Sequence, residues 1–76
     1  MDRAVIARAI RAKVALGFIQ LVYVDRPMLL WGGVANLFIC RACSAPFVSE
    51  VAVGYRADWG ELHWFHVACD DIRKDS

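Results

Sequence analysis

The chain has 76 residues, which leaves room for one small domain and not for a second. Hydrophobic residues make up 59% of it and charged residues 22%, a balance that excludes an intrinsically disordered chain. The formal charge of +1 excludes a strong overall field that would attract nucleic acid or an anionic membrane. A chain of this size buries a limited share of its surface, so it commonly needs a disulfide, a metal or a partner.

Residues 2–16 predict a helix, because Ala, Arg and Lys favour this conformation and Asp2 is suited to cap its first turn. Gly17 stands where a left-handed C-terminal cap is expected. We expect an apolar side formed by Val5, Ile6, Ala9, Ile10 and Leu16, with Arg3, Arg8 and Arg11 opposite. Lys13 interrupts the apolar side, and its stem is expected to carry the ammonium outward.

The middle of the chain is apolar and interrupted by turn residues. Residues 18–24 predict a strand that ends at residues 25–27, Asp-Arg-Pro. Trp31-Gly32-Gly33 marks a turn, and residues 37–39 predict a short strand leading to a pair of cysteines. Pro46 is expected to help close the loop after this pair.

The last third predicts a hairpin followed by a helix. Residues 51–56 alternate in the period of a half-buried strand, residues 58–60 supply a turn, and residues 62–65 return as the second strand. Residues 67–74 predict a short helix whose final Arg and Lys suit its negative end. We therefore expect one α+β domain over residues 1–76, with a helical and apolar part at 1–36 and a finger at 37–76.

Three cysteines cannot all pair within one chain, so a complete set of intramolecular disulfides is excluded. Together with one histidine they form the pattern Cys40-x2-Cys43-x22-His66-x2-Cys69. Three thiolates and an imidazole are a ligand set of structural zinc, and His66 and Cys69 would share one side of a first helical turn. We predict one zinc ion at these four residues, and four protein ligands leave no open position for catalysis.

Two alternatives remain open for the cysteines, a redox dithiol and unliganded buried thiols. Iron is a further possible occupant, because thiolate-rich tetrahedral sites accept both metals. His63 is open as well: it would replace a ligand or support the site from outside, or lie half-exposed on a strand.

The run His63-Trp64-Phe65-His66-Val67-Ala68-Cys69, after Cys40-x2-Cys43, resembles the ending of the DNA-break-binding zinc fingers of poly(ADP-ribose) polymerases, although its gap is shorter. The ligand order and gap also resemble the first half of LIM domains, which bind proteins; the second half is missing. With Gly17 and Trp31-Gly32-Gly33, the whole chain is similar to short, largely uncharacterised bacterial proteins. These resemblances imply a treble-clef-like fold: a zinc knuckle, a β-hairpin and a helix carrying two ligands.

The surplus of apolar residues at 18–31 predicts a protein partner or self-association. DNA or RNA binding is the alternative, and its candidate residues are Arg3, Arg8, Arg11, Arg41, Arg56, Trp59 and Trp64. No nucleophile, phosphate-binding or paired-carboxylate motif is present, so we expect neither an enzyme nor a small-molecule substrate.

No uncharged run exceeds 13 residues, which is too short to cross a bilayer, so no membrane association is expected. Thiols kept for a metal suit a reducing compartment, and charges at Arg8, Arg11 and Lys13 interrupt any signal-peptide core. We therefore expect a cytoplasmic protein.

Overall fold

The computed structural model describes residues 2–31, 38–48 and 51–76. In chain order, these contain helix α1 (Arg3–Ala15), strands β1 (Met28–Trp31), β2 (Val51–Arg56) and β3 (Leu62–His66), and helix α2 (Val67–Lys74). Neither of these helices has both the length and the apolar character that crossing a bilayer requires. The described elements form a small α+β fold, which confirms the predicted class.

Helix α1 begins and ends within one residue of the bounds that the sequence predicts. The Asp2 carboxylate accepts a hydrogen bond from the Ala4 N–H at 3.2 Å and so caps the first turn. Beyond the last turn, Gly17 has a φ of +79°, the left-handed conformation that glycine adopts without steric cost.

The buried side of α1 is narrower than predicted. Ile6 and Ile10 are buried and Val14 packs partly against the same cluster, whereas Val5 and Leu16 are 49% and 69% exposed. The prediction of a wide apolar side on α1 is therefore wrong. The helix packs against its neighbours along one line of residues spaced by a turn, and Leu16 already lies beyond the last turn.

Residues 18–24 form bends, and the strand of this region lies at β1 instead. Two backbone groups of the predicted strand form hydrogen bonds with side chains instead of with another strand. The Gln20 N–H donates to the Tyr23 hydroxyl at 3.1 Å, and the Leu21 carbonyl accepts from the Arg73 guanidinium at 2.5 Å. The predicted strand at this position is wrong because these side-chain hydrogen bonds compete with strand pairing.

The three described strands form an antiparallel sheet in the order β1-β2-β3. Strands β2 and β3 form the predicted hairpin, whose turn is closed by a hydrogen bond from the Ala57 N–H to the Glu61 carbonyl at 2.7 Å. Gly60 lies in this turn with a φ of +93°. The pairing sets Ala52 opposite His66, so the strand register determines where the chain leaves the sheet for α2.

The segment before the cysteines differs from the expected short strand. The turn residues Gly32 and Gly33, and Leu37 at the start of that strand, lie outside the described residues. Of the rest, Ile39 makes a single isolated bridge to Pro46. A bridge therefore stands where a strand was expected, and Pro46 lies opposite Ile39 where the loop closes.

Aromatic rings fill the space between one face of the sheet and α2. Tyr23 stacks on Tyr55 with centroids 4.8 Å apart, and both meet Phe65 at steep angles. The buried Arg73 guanidinium lies 4.8 Å from the Tyr55 centroid and pairs with the buried Asp70 carboxylate at 2.7 Å. The ring faces and the ion partner replace the water that Arg73 loses on burial, so this cluster holds α2 against the sheet.

Gly54→Ala tests the other face of the sheet, where Trp64 lies across Gly54. A Cβ at Gly54 would lie far inside the van der Waals distance of three ring atoms of Trp64, so we expect a loss of about 3 kcal/mol in the free energy of unfolding. Gly17→Ala is the control, because its Cβ meets open space and only the positive φ costs about 1 kcal/mol. Denaturant unfolding measures both; equal losses would contradict the close packing at Gly54.

Candidate metal centre

The first two candidate ligands lie in a tight turn, which we call the knuckle (residues 39–46). The Cys40 N–H donates to the Ala45 carbonyl at 3.0 Å, and the Ser44 N–H donates to the Cys40 carbonyl at 2.9 Å. Ser44 has a φ of +63°, which lets the chain reverse directly after Cys43. The Arg41 N–H donates to the Trp64 carbonyl at 2.8 Å and attaches the knuckle to β3.

The other two ligands lie where β3 passes into α2. His66 is the last residue of β3 and the N-cap of the helix, and Cys69 lies in the first turn of α2. Residues three apart at a helix start face the same way, so both side chains point towards the knuckle. The helix begins at Val67, as the sequence predicts.

The four side chains converge on one point. One ligand atom each from Cys40, Cys43, His66 and Cys69 lies within 4.8 Å of all the others. The Nδ1 atom of His66 is 3.3 Å from the Cys43 sulfur and 4.0 Å from the Cys69 sulfur. A tetrahedron with ~2.3 Å metal–sulfur bonds has corners about 3.8 Å apart, so the cluster fits one ion. These four residues are positioned to bind one metal ion, as the sequence predicts.

The hydrogen bond on the far side of His66 determines which of its ring nitrogens is the ligand. Its Nε2 atom is 3.2 Å from the Pro46 carbonyl oxygen, which accepts only, so Nε2 carries the proton and donates. In a neutral imidazole Nδ1 then bears the lone pair, and Nδ1 is the atom that faces the cysteine sulfurs. A donor bond of this kind orients the ring and strengthens it as a ligand.

The three thiols do not ionise independently. The hydrogen bond with the Cys69 thiol is the main cause that lowers the pKa of Cys40, and the His66 N–H at 3.5 Å from the Cys40 sulfur acts in the same direction. The bond with Cys40 raises the pKa of Cys69, and burial raises the pKa of Cys43. A cation among the sulfurs would offset these effects and favour the thiolate form of all three cysteines.

Three of the candidate arginines are engaged in ion pairs. Arg3 pairs with Asp75 at 2.5 Å, and Arg41 pairs with Glu61 at 2.8 Å. Arg56 lies 3.9 Å from the Asp25 carboxylate. Their acidic partners come from three separate parts of the chain, namely the C-terminal residues, the hairpin turn and the segment before β1.

The remaining candidates for nucleic-acid binding lie in different surroundings. Arg8 and Arg11 are exposed on α1. Trp59 is 54% exposed in the hairpin turn, where its indole N–H donates to Glu61. Trp64 is 7% exposed and packs against Phe38 and Gly54, so it does not offer a ring face to solvent.

His63 is buried, contrary to the half-exposed position considered from the sequence. It has no exposed surface, its Nδ1 lies 2.6 Å from the Tyr23 hydroxyl, and its Nε2 lies 2.8 Å from Glu61. The Glu61 carboxylate only accepts, so Nε2 carries the proton and donates to it, and in the neutral ring Nδ1 then accepts from the Tyr23 hydroxyl. Both nitrogens point away from the metal cluster, and among the described residues His63 is not part of it.

The burial of His63 was not predicted from the sequence, although the sequence contains a signal for it. The predicted hairpin places Tyr55 and His63 opposite each other on one face of the sheet, which is the pairing observed. An aromatic residue opposite a histidine on the face that carries Phe65 indicates burial.

Comparisons of the chain with protein-family models, with curated proteins and with solved structures find no match. The resemblances drawn from the sequence motifs therefore stay predictions. The site is understood from its own geometry.

His63→Gln tests the buried imidazole through the pH dependence of stability. Burial lowers the pKa of His63 below 6.5, so below that pH the unfolded chain binds a proton that the folded chain excludes. The wild type thus loses stability at up to about 1.4 kcal/mol per pH unit, and the variant lacks this loss. We expect the variant to be less stable at pH 7.5, with the gap narrowing by up to about 1.4 kcal/mol as the pH falls to 5.5.

Denaturant unfolding of both proteins, saturated with zinc at each pH, measures this gap. Titration of the four metal ligands affects both proteins and cancels in the difference. A gap that stays constant between the two pH values would contradict a neutral, buried His63.

Proposed function

We propose that the chain is a treble-clef-like module in which one zinc ion at Cys40, Cys43, His66 and Cys69 has a structural role. The observation that carries the proposal is the convergence of all four ligand atoms within 4.8 Å. Two ligands from a knuckle, two from a helix start and a hairpin between them agree with that arrangement. Three thiolates and one imidazole suit tetrahedral zinc, and four protein ligands leave no position for a reacting water.

A non-catalytic role follows from the same ligand set. The chain has three cysteines, and all three belong to the cluster, so no thiol remains for a cysteine–histidine nucleophilic pair. The buried His63 has both nitrogens bound to Tyr23 and Glu61, and it has no exposed surface from which to reach a substrate. The module therefore acts by binding rather than by chemistry.

The proposed partner is a second copy of the chain, which pairs through strand β1. Among the described strands, β1 has a neighbour on one side only. Leu29 and Trp31 point to the same side of it and are 68% and 72% exposed. Val22 and Val24 add exposed apolar surface in the preceding bends. An uncharged apolar edge strand of this kind is a template for pairing with another strand.

A second copy would supply an apolar strand that matches β1 and would allow the two chains to pair about a two-fold axis. Two β1 strands that pair antiparallel about a two-fold axis bring the same apolar residues together from both chains. The net charge of +1 per chain gives little repulsion between copies. Nucleic acid is less well supported, because Arg3, Arg41 and Arg56 already have acidic partners within the chain.

Cys43→Ser tests the structural metal. Metal binding in small zinc peptides is worth ~10–16 kcal/mol, comparable to the whole stability of a domain, so we expect the variant to lose the ion and the hairpin signals. Native mass spectrometry counts the bound ion and identifies zinc or iron, and amide NMR reports the fold. Val67→Ser, exposed beside the cluster, is the control and should keep both. A folded, metal-free Cys43→Ser protein would overturn the proposal.

Leu29→Lys tests self-association. A charge at the centre of the paired edge should weaken the dimer at least about tenfold, or 1.4 kcal/mol, without changing metal content. Val48→Lys is the control, since Val48 is exposed to a similar degree outside the sheet. Sedimentation equilibrium measures the dissociation constants of all three proteins.

The same sedimentation runs include short single- and double-stranded oligonucleotides at two salt concentrations. A wild type that stays monomeric at high concentration contradicts the second copy. If that monomer also binds the oligonucleotides with a steep salt dependence, the nucleic-acid alternative replaces the proposal.

A further inference from the structure

Lys13 of α1 does not extend into solvent. Its Nζ atom donates to the Arg41 carbonyl at 2.7 Å, to the Ala42 carbonyl at 3.1 Å and to the Ser44 hydroxyl at 3.0 Å. An ammonium group has three N–H donors, so these acceptors satisfy it completely. All three acceptors belong to the knuckle, 28 to 31 residues away in sequence. The outward orientation expected from the sequence is therefore wrong.

The two carbonyl groups that Lys13 binds belong to peptide units that lie between the two knuckle cysteines, Cys40 and Cys43. The Arg41 carbonyl shares its peptide unit with the Ala42 N–H, and the Ala42 carbonyl shares its unit with the Cys43 N–H. After the hydrogen bond with the Cys69 thiol, which is the main cause, these two N–H groups also lower the pKa of Cys40. An ammonium on the oxygen end of a peptide polarises the unit and strengthens the donor at its nitrogen end.

The charge that the site would carry with an ion bound explains why the Lys13 ammonium would matter there. Three thiolates, a neutral imidazole and a divalent ion sum to a formal charge of −1, in surroundings where Cys40 and Cys69 are buried. The nearby Arg41 guanidinium is engaged with Glu61 in the hairpin turn. Lys13 supplies the positive charge that reaches the knuckle through its peptide groups.

We propose that Lys13 is a positioning residue of the metal centre: through the knuckle carbonyls it strengthens the N–H donors on Cys40 and so tightens metal binding. This rests on the proposed metal site. Because coupling is reciprocal, the ion in turn stabilises the docking of α1, which also contributes Ile6 to the groove beside Cys43 and Cys69. The N-terminal helix is thereby part of the metal module.

The experiment compares metal affinity in Lys13→Met, which keeps the stem and loses the charge, with Lys13→Arg, which keeps a charge and donors. Arg11→Met is the control on the exposed side of the same helix. Zinc affinity is measured by competition with a chelator, and Co²⁺ is the spectroscopic probe. Loss of an outer partner of a metal site costs about 10- to 100-fold in affinity, which we expect for Lys13→Met. Lys13→Arg should recover most of this loss, and Arg11→Met should bind like the wild type.

Two further readouts separate this role from simple anchoring of the helix. Without the nearby charge, the thiolate-to-cobalt charge-transfer band of Lys13→Met should move to longer wavelength. The pH at which half the metal is released should also rise, because protons then compete better for the sulfurs. Wild-type affinity in Lys13→Met, or equal losses in the Met and Arg variants with an unchanged band, would overturn the inference. Failure of the wild type itself to bind Zn²⁺ or Co²⁺ would instead overturn the proposed function.

Discussion

The meeting of two distant ligand pairs at one point is the constraint on which the rest of the structure depends. Cys40 and Cys43 come from a turn, and His66 and Cys69 come from a strand end and a helix start. The described strands β1, β2 and β3 form a small sheet, and several of its apolar side chains remain exposed. A core this small supplies little stability, so an ion that joined the pairs would contribute a large part of what folding requires.

Several neighbouring groups position the four candidate ligands, or the elements that carry them, without being ligands themselves. Pro46 fixes the proton of His66 on the far nitrogen, and the Arg41 N–H attaches the knuckle to β3. Lys13 brings α1 onto the same turn. The aromatic cluster around Tyr55 holds α2 from the opposite side. Both helices, the knuckle and the sheet are therefore attached around the same four candidate ligands.

The sequence predicted well those features that depend on local spacing. The three-residue steps of Cys40–Cys43 and His66–Cys69 identified the cluster, Asp2 and Gly17 marked the ends of α1, and the hairpin and α2 followed from residue alternation and turn chemistry. These patterns require only nearby residues, so propensity and periodicity suffice to recognise them.

The predictions that were wrong concern residues whose environment comes from distant parts of the chain. The carbonyl of Leu21 accepts from Arg73, Lys13 finds acceptors near Ser44, and His63 is covered by Tyr23. Each of these contacts joins residues that no local pattern brings together. The segment around Leu21 was expected to form a strand, Lys13 was expected to extend outward, and His63 was considered half-exposed. Burial of polar groups follows from tertiary contacts, so a single sequence does not disclose it.

The register of β2 against β3 also determines whether the four candidate ligands can meet. Because side chains alternate across a sheet, a slip by one residue would turn His66 to the wrong side and carry the start of α2 away from Cys40. Such a misaligned hairpin would offer the ion only the two sulfurs of the knuckle. Coordination by all four side chains would thus favour the correctly aligned hairpin, since that form is the one that completes the tetrahedron.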